Sequence, residues 1–328
     1  MNNALDSFLA TAQRIVYATL ATLGPRPRRD PGGVRRRLGA AVHGLAGWLT
    51  VDLASLGRIG IWRRHQEGAE GLAELEELRF GTLWLGGSPA PADARPFLEG
   101  TRTLTIATGI LNVWRHAPAD VAAEHGRLSD EFGGRFLLGI GIGHPEATSE
   151  YRRPLATMRS FFDGLDAAER PVPRDGRVAA ALGPKMLDLA AERSLGAHPY
   201  LTSVEHTRFA REQVGPGVLV APELTVVVEQ DVERGRELAR EFAGPYFQRR
   251  NYAANLLRHG FTEEDLADGG SDRLIDAIVP HGAPEQIAEA VRAHLDAGAD
   301  HVCLQPVGHA GVPLDDYRAL ARVLIPSS

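Results

Sequence analysis

The sequence predicts an α/β protein, a (β/α)8 TIM barrel that follows an N-terminal extension. Its short, continuous apolar runs are typical of parallel strands that are buried on both faces. The runs alternate with helical patterns, and eight such units fill about 270 residues, the size of a TIM barrel. We therefore expect an extension over residues 1–56 and a barrel domain over residues 57–328. An open, doubly wound sheet is the alternative, but it seldom needs eight strands.

The N-terminal extension differs from the rest of the chain in charge and composition. Residues 1–50 hold seven arginines against Asp6 and Asp30, whereas the remaining chain holds 29 basic and 40 acidic residues. A helical apolar period over residues 5–20 is followed by a Gly-, Pro- and Arg-rich stretch at residues 24–33. This pattern favours a weakly ordered or partly helical extension over a targeting or membrane-surface segment.

The predicted elements follow one another in strand–helix order. The eight predicted strands are the apolar runs Arg58–Trp62, Gly81–Leu85, Thr103–Gly109, Arg135–Gly141, Arg177–Leu182, Gly196–Leu201, Leu224–Glu229 and Ala299–Gln305. The predicted helices cover Glu67–Leu78, Ala117–Phe132, Pro154–Ala168, Pro184–Arg193, Glu205–Gln213, a long region Asp231–Leu266, Pro284–Ala297 and Pro313–Leu324. Because a barrel carries its chemistry at the carboxyl ends of the strands, we expect the functional residues at those ends and in the loops after them.

Composition excludes several classes of function. No run of 18 or more apolar residues is present, so we expect no membrane partner. The acidic body argues against a nucleic-acid partner, which needs a basic face. Cys303 is the single cysteine, which excludes a disulfide framework and favours a reducing, cytoplasmic location. No His, Asp or Glu cluster has metal-ligand spacing, so we predict no metal site.

The turn after the fifth predicted strand is the strongest local signal. There Gly183 lets the backbone approach a ligand, and Pro184 suits the first turn of a helix. The free N–H groups of that turn, with Lys185 and Met186, predict an anion site. On local grounds alone, an ordinary strand–helix turn explains the same residues.

Two further turns predict a ligand at the same end of the barrel. After the third strand, Gly109 permits a kink, and Asn112 offers a donor and an acceptor for the edge of a heterocycle, unless it only caps its loop. After the fourth strand, Gly141 and Gly143 leave room for a planar ligand. His144 in that loop is the candidate for proton transfer, with an ordinary surface histidine as the alternative.

The remaining motifs point to cofactor chemistry. His198 lies at the end of the sixth strand, where it either contacts a ligand or is simply packed. The sequence has no G-x-S-x-G nucleophile elbow and no Walker A loop. Chemistry carried by a cofactor is therefore favoured for an enzyme.

Five motifs in order carry a resemblance to a known family: Ala107–Trp114, Gly134–Gly141, Leu182–Leu187, Gly196–Tyr200 and Gly298–Val302. With them, the chain from about Gly57 to Val307 resembles the bacterial-luciferase-like superfamily of TIM barrels. It is most similar to the actinobacterial branch of coenzyme F420-dependent oxidoreductases. The resemblance implies F420 as cofactor, with flavin mononucleotide (FMN) as the alternative, since relatives use either. Dimers are common in this family, so a second copy of the chain is a candidate partner.

The resemblance also assigns roles to residues. It implies a cis peptide bond at Gly109–Ile110 that backs the central ring of the deazaflavin, and a cofactor phosphate over Gly183, Pro184, Lys185 and Met186. The loop from Gly141 to His144 would border the cofactor. Many relatives carry an Asp-His pair after strand 2, whereas this chain has Gly86-Gly87-Ser88. That difference puts the proton donor in doubt and moves the prediction to His144.

We therefore expect an oxidoreductase that transfers a hydride between coenzyme F420 and a small organic substrate. An FMN-dependent monooxygenase of the same superfamily is the first alternative. A cofactor-free binding protein on a barrel scaffold is the second, because the acid–base pair after strand 2 is missing.

Overall fold

The computed structural model describes residues 53–147 and 151–326, which form a closed barrel of parallel strands surrounded by helices. This confirms the predicted (β/α)8 fold. The expected extension lies outside the described residues except for the short turn Leu53–Leu56. That turn packs on the barrel, because Leu56 is buried and its carbonyl accepts a hydrogen bond from the Thr82 hydroxyl (2.8 Å).

The described residues contribute eleven strands to the sheet, and every pair of neighbours is parallel. The strands are β1 (Ile59–Arg64), β2 (Thr82–Gly86), β3 (Thr105–Thr108), β4 (Leu111–Asn112), β5 (Phe136–Gly141), β6 (Arg177–Ala179), β7 (Gly196–Ala197), β8 (Leu219–Val220), β9 (Glu223–Val228), β10 (His281–Gly282) and β11 (Val302–Pro306). β2 and β5 are buried along their whole length and almost entirely apolar, as expected for strands covered on both faces.

Helices connect the strands and cover the outside of the barrel. The described α-helices are α1 (Leu72–Glu77), α2 (Arg95–Glu99), α3 (Pro118–Glu131), α4 (Pro154–Asp166), α5 (Pro184–Arg193), α6 (Val204–Val214), α7 (Val232–Phe247), α8 (Arg250–Arg258), α9 (Glu263–Leu266), α10 (Asp272–Ile278), α11 (Pro284–Asp296) and α12 (Leu314–Leu324). Within the described ranges, no helix is both long enough and apolar enough to cross a membrane.

The barrel closes through a seventh strand that is interrupted. β8 pairs with β7, and β9 pairs with β11, which in turn pairs with β1. Between β8 and β9 the chain passes through Pro222, which has no N–H to donate. The carbonyl groups of Val220 and Pro222 still accept bonds from the N–H groups of Asp300 (2.9 Å) and Cys303 (3.0 Å). β8 and β9 therefore act as one barrel strand.

The structure corrects several predicted boundaries. The sixth strand, predicted as Gly196–Leu201, is only the two residues of β7, because Pro199 cannot donate and Leu201 is left-handed (φ 52°). The predicted helical region Asp231–Leu266 is three separate helices, α7, α8 and α9. The sequence analysis did not predict β8 or β10, each of which is only two residues long.

Apolar side chains pack in three clusters. The largest fills the space between the strands and the outer helices. A second lies inside the barrel and includes Trp62, Trp84, Leu137 and Cys303 from alternate positions of the strands. The third belongs to the excursion between β9 and β10, where α7, α8 and α10 pack on one another. The excursion thus has a core of its own next to the barrel mouth.

Candidate active site

A cavity of about 700 Å3 opens at the carboxyl ends of the strands, and we call it the chamber. Strand-end residues line one part of it, and the excursion lines another. We call the first set the barrel wall, which consists of Gly109, Ile110, Ala180, Ala181 and Gly183. We call the second set the helix wall, which consists of Phe242, Tyr246, Arg249, Asn251 and Tyr252.

A second cavity of about 490 Å3 lies between β9 and α12. Among the described residues its lining includes Glu229, His309 and Asp316, and none of the predicted site residues. The chamber instead meets the end of the barrel where such folds carry their chemistry. We therefore place the candidate site in the chamber.

The barrel wall begins at a fixed backbone turn. The peptide bond between Gly109 and Ile110 is cis, as the resemblance implied. The carbonyl of Gly109 accepts a hydrogen bond from Trp62 Nε1–H (3.2 Å). One residue earlier, Thr108 Oγ1 donates to the carbonyl of Gly139 (2.7 Å) and accepts from its N–H (2.8 Å). These bonds hold the end of β3 against β5, so the backbone at Gly109 has a defined position.

The residues at the ends of β4 and β5, and Gly143 just beyond β5, have different relations to the chamber. Gly143 lines it in a left-handed conformation (φ 66°) that favours glycine. Asn112 also lines it, and its Oδ1 caps the next turn by accepting from Trp114 N–H (3.0 Å). Gly141 lies behind Ile110, because a Cβ built on this glycine would stand 2.6 Å from Ile110 Cδ1. Gly141 therefore supports the barrel wall from below.

The turn from β6 into α5 leaves an open corner. Gly183 precedes the helix, and its carbonyl accepts bonds from the N–H groups of Met186 (3.1 Å) and Leu187 (3.0 Å). No described atom lies within 4 Å of a Cβ built on Gly183. Gly183 and Met186 line the chamber, whereas Pro184 and Lys185 do not, and Lys185 is exposed. The corner can therefore receive an anion at backbone N–H groups rather than at the Lys185 ammonium.

His198 is a buried part of the chamber lining. Its Nδ1–H donates to the carbonyl of Ala221 (2.7 Å), and its ring stacks on Trp84 with centroids 4.1 Å apart. Burial lowers the pKa of His198 to about 4, so the imidazole is neutral at pH 7. Its Nε2 has no hydrogen-bond partner in the described part of the chain. His198 thus shapes the chamber as a neutral ring.

His144 joins the two walls. Its Nδ1–H donates to Asn251 Oδ1 (3.2 Å), and its ring centroid is 5.3 Å from that of Tyr252. Burial lowers the pKa of His144, and the nearby Arg249 acts in the same direction, whereas the bond to Asn251 opposes both. A neutral imidazole that donates through Nδ1 keeps a lone pair on Nε2. His144 can therefore accept a proton from a group in the chamber.

Aromatic rings dominate the helix wall. Tyr246 lies between Tyr200 (5.7 Å), Tyr252 (5.3 Å) and Phe242 (5.6 Å), measured between ring centroids. The Tyr200 hydroxyl donates to Gln305 Oε1 (2.8 Å), which anchors this ring to β11. The helix wall therefore offers ring faces and hydroxyl groups to an organic ligand.

A buried carboxyl group supports Tyr200. Glu223 Oε2 accepts from Leu201 N–H (3.0 Å), and its Oε1 accepts from the Thr225 hydroxyl (2.6 Å). Complete burial raises the pKa of Glu223 to about 8, although both hydrogen bonds oppose the rise. The carboxyl group is therefore protonated at pH 7. It fixes the backbone that follows Tyr200 without adding charge near the chamber.

The structure brings most of the predicted site residues together. Gly109, Ile110, Asn112, Gly143, His144, Gly183, Met186 and His198 line the chamber, whereas Gly141, Pro184 and Lys185 lie beside it. The sequence analysis did not single out Arg64, Arg115, Tyr246, Arg249, Asn251, Tyr252 and Gln305, which also line it. Arg64 and Gln305 lie at strand ends and could have been found there. The helix-wall residues carry no local signal, because only the packing of the excursion brings them to the barrel mouth.

Comparisons with known proteins show the family to which the chain is similar. Residues 96–301 match the model of the family described as luciferase-like monooxygenase. The chain is 25% identical over 262 residues to the 5,10-methylenetetrahydromethanopterin reductase of Archaeoglobus fulgidus, covering 63% of this chain and 79% of that protein. It is 23% identical over 306 residues to the enzyme of the same name from Methanolobus tindarius, covering 76% and 91%.

Solved structures share the fold. The coenzyme F420-dependent tetrahydromethanopterin reductase from Methanopyrus kandleri aligns with a TM-score of 0.66 at 15% identity, over 82% of this chain and 98% of that chain. An FMN complex of the type II Baeyer–Villiger monooxygenase from Pseudomonas putida aligns with a TM-score of 0.60 at 13% identity, over 82% and 96%. At such low identity these likenesses show the fold alone.

Proposed function

Because the chain belongs to the luciferase-like monooxygenase family, we propose that it is an oxidoreductase that uses coenzyme F420. It transfers a hydride between this deazaflavin and a small organic substrate. The similarity to methylenetetrahydromethanopterin reductases, together with an F420-dependent enzyme among the structures of the same fold, supports F420 over FMN.

The observation that carries the proposal is the fit of the barrel wall to such a cofactor. A planar ring system needs a flat, uncharged surface, and Gly109, Ile110 and Ala180 provide small or apolar groups next to one another. A phosphate needs space and donors, and the corner at Gly183 supplies both at the start of α5. The first-turn N–H of Lys185 would donate to that phosphate, while the Lys185 side chain stays outside.

The chain's own residues would position the reactants and handle the proton. When bound, F420 gives or takes a hydride, so the substrate must gain or lose a proton as well. His144 would exchange that proton through Nε2, since Asn251 holds its Nδ1–H and burial keeps it neutral at pH 7. The helix wall would cover the reactants and exclude water.

Titration of the purified full chain with F420, FMN and riboflavin tests the proposal. Trp62 lines the chamber, so quenching of tryptophan fluorescence reports binding. We expect F420 to bind more tightly than FMN. Tighter binding of FMN, with oxygen consumption on reduction, would favour a flavin monooxygenase. Binding of neither would favour a cofactor-free binding protein.

Substitution of Gly183 tests the phosphate corner. The backbone of Gly183 (φ −90°, ψ 160°) suits any residue, so Gly183→Val should fold while its side chain fills the open space. We expect the Kd for F420 to rise at least about tenfold, which corresponds to about 1.4 kcal/mol. Lys185→Ala is the matched control, with only a modest effect because its side chain points away from the lining. Unchanged affinity in a folded valine variant would place the phosphate elsewhere.

A further inference from the structure

The charge of the chamber differs from that of the protein. The chain has a net charge of −6, yet Arg64, Arg115 and Arg249 line the chamber, and no Asp or Glu of the described residues does. A cavity with arginines and no carboxylates attracts anions and concentrates them. The cofactor phosphate, which we assign to the Gly183 corner, would be bound there by backbone N–H groups and not by these arginines.

Arg249 is the one of these arginines that belongs to the helix wall. Its guanidinium carbon lies 4.9 Å from the centroid of the Tyr246 ring, and the backbone N–H of Arg249 donates to the carbonyl of Tyr246 (2.9 Å). It also stands close enough to His144 to lower that pKa. The guanidinium is therefore held over an aromatic face, near enough to His144 for its charge to disfavour protonation of that imidazole.

Arg249 differs from its neighbours in having no carboxylate partner in the described part of the chain. Four other arginines of the excursion are ion-paired: Arg234 with Glu237, Arg236 with Asp276, Arg240 with Asp272 and Arg273 with Asp265. Arg250 and Arg258 are exposed and lie outside the chamber lining. A half-buried guanidinium with five donors and no anion is suited to bind a carboxylate of a ligand.

From these contacts we propose that the substrate of this enzyme is an anionic aromatic or conjugated compound. Its carboxylate binds Arg249, and its planar body lies against Tyr246 and Tyr252. The inference rests on the proposed function only in assigning the barrel wall to the cofactor. It places the reacting end of the substrate between His144 and the cofactor surface at Gly109.

Binding of matched probes to the full chain tests this inference. Benzoate and 2-naphthoate are compared with benzamide and 2-naphthamide, which have nearly the same shape without the charge, by tryptophan fluorescence and calorimetry. We expect each carboxylate to bind at least ten times more tightly than its amide, and the difference to shrink at high salt. Equal binding of acid and amide, or no binding of either acid up to about 10 mM, would overturn the proposal.

Two variants separate Arg249 from general charge effects. Arg249→Met replaces the aliphatic stem of the side chain and removes the guanidinium, so it should reduce carboxylate binding to the level of the amide. Arg250→Met removes the same charge from the adjacent exposed residue and should leave carboxylate binding unchanged. An equal loss of carboxylate affinity in both variants would mean that only the overall positive potential matters. That result would contradict a specific site at Arg249.

The same variants distinguish a substrate anion from an anion of the cofactor. We expect Arg249→Met to leave the Kd for F420 unchanged. If this variant weakened F420 binding and spared the carboxylates, Arg249 would serve the cofactor, and the proposal would be wrong. If the unmodified chain did not bind F420 at all, the proposed function would fail, while the probe experiment would still decide the role of Arg249.

Discussion

The barrel wall and the helix wall enclose one chamber with different kinds of residue. The barrel wall consists of glycine, alanine and isoleucine at strand ends, where the sheet fixes the backbone. The helix wall consists of aromatic side chains, Asn251 and Arg249, which a separate apolar cluster of the excursion supports. One surface is shaped by backbone and the other by side chains.

This difference suits the two walls to different ligands. A backbone surface presents N–H groups, carbonyls and space, and changes little when side chains change, which suits a cofactor that many enzymes share. A surface of side chains presents charge and ring faces, which suits a particular substrate. We therefore assign the cofactor to the barrel wall and the substrate to the helix wall. Changes in the barrel and changes in the excursion should then have effects that can be measured separately.

Acid should destabilise the barrel more than any single substitution. Burial lowers the pKa to about 4 for five histidines on barrel elements: His125, His198, His206, His294 and His301. Unfolded histidines take up protons near pH 6.5, so the unfolded state binds more protons between pH 6.5 and 4. Stability is therefore full above pH 6.5 and falls below it, by up to about 1.4 kcal/mol per pH unit for each histidine. A melting temperature that stays constant from pH 7 to pH 5 would contradict this.

Removal of His144 should affect turnover more than binding. We expect His144→Ala to lower F420-linked kcat by about 10²–10⁴-fold, the usual contribution of general acid–base catalysis, with little change in the Kd for F420. The acid limb of the pH–rate profile should disappear, since the pKa of His144 lies below its usual range. His116→Ala, outside the chamber lining, is the control and should keep its turnover. Full turnover of His144→Ala across the pH range would assign the proton to another group.

The same substitution should have opposite effects in the barrel and in the excursion. A Cβ on Gly139 would overlap the Thr108 carbonyl, so Gly139→Ala forces β3 and β5 apart. We expect it to lower the free energy of unfolding by about 3 kcal/mol. Gly244→Ala in α7 meets only an ordinary contact, 3.4 Å from Gly269 Cα, and should be neutral or stabilise by up to about 1 kcal/mol. Thermal unfolding of both variants measures the change in stability. Equal changes would show that β3 and β5 can move apart at little cost in free energy.

Truncation of the N-terminal extension should have the smallest effect. We propose that residues 1–48 are dispensable for the barrel, because their charge and composition differ from those of the rest of the chain. A chain that starts at Leu49 should keep its melting temperature and its Kd for F420. A chain that starts at Gly57 should melt several degrees lower, since it loses the buried Leu56. A melting temperature several degrees lower in the chain that starts at Leu49 would mean that residues 1–48 stabilise the barrel.

Much of the fold could be predicted from the sequence because most of the barrel strands are short, mainly apolar runs. Runs such as Phe136–Gly141 are buried along their whole length and stand out among polar helices. The two-residue strands β8 and β10 have too few residues to give a pattern. The break after α8 was missed although it carries local signals: Gly260 is left-handed there (φ 93°), and the Thr262 side chain caps α9 by accepting from Asp265 N–H.

The site could be predicted at the strand ends, where glycines mark the backbone. Gly109 and Gly183 stand at strand ends, so a close approach of a ligand was a reasonable expectation from their positions. Arg249, between α7 and α8, and Tyr252, in α8, lie more than 60 residues beyond Gly183 in a region without a motif. Their place in the chamber depends on how α7 and α8 pack, which a single sequence does not reveal.

A crystal structure of the full chain with F420 bound is the most direct test of the division between the two walls. The account predicts that the central ring lies on Gly109 and Ile110, with the phosphate within hydrogen-bond distance of Lys185 N–H. Arg249 and Tyr246 should then still face open space in the chamber. A ring held between Tyr246 and Tyr252, with the phosphate on Arg249, would contradict the assignment of cofactor and substrate to separate walls.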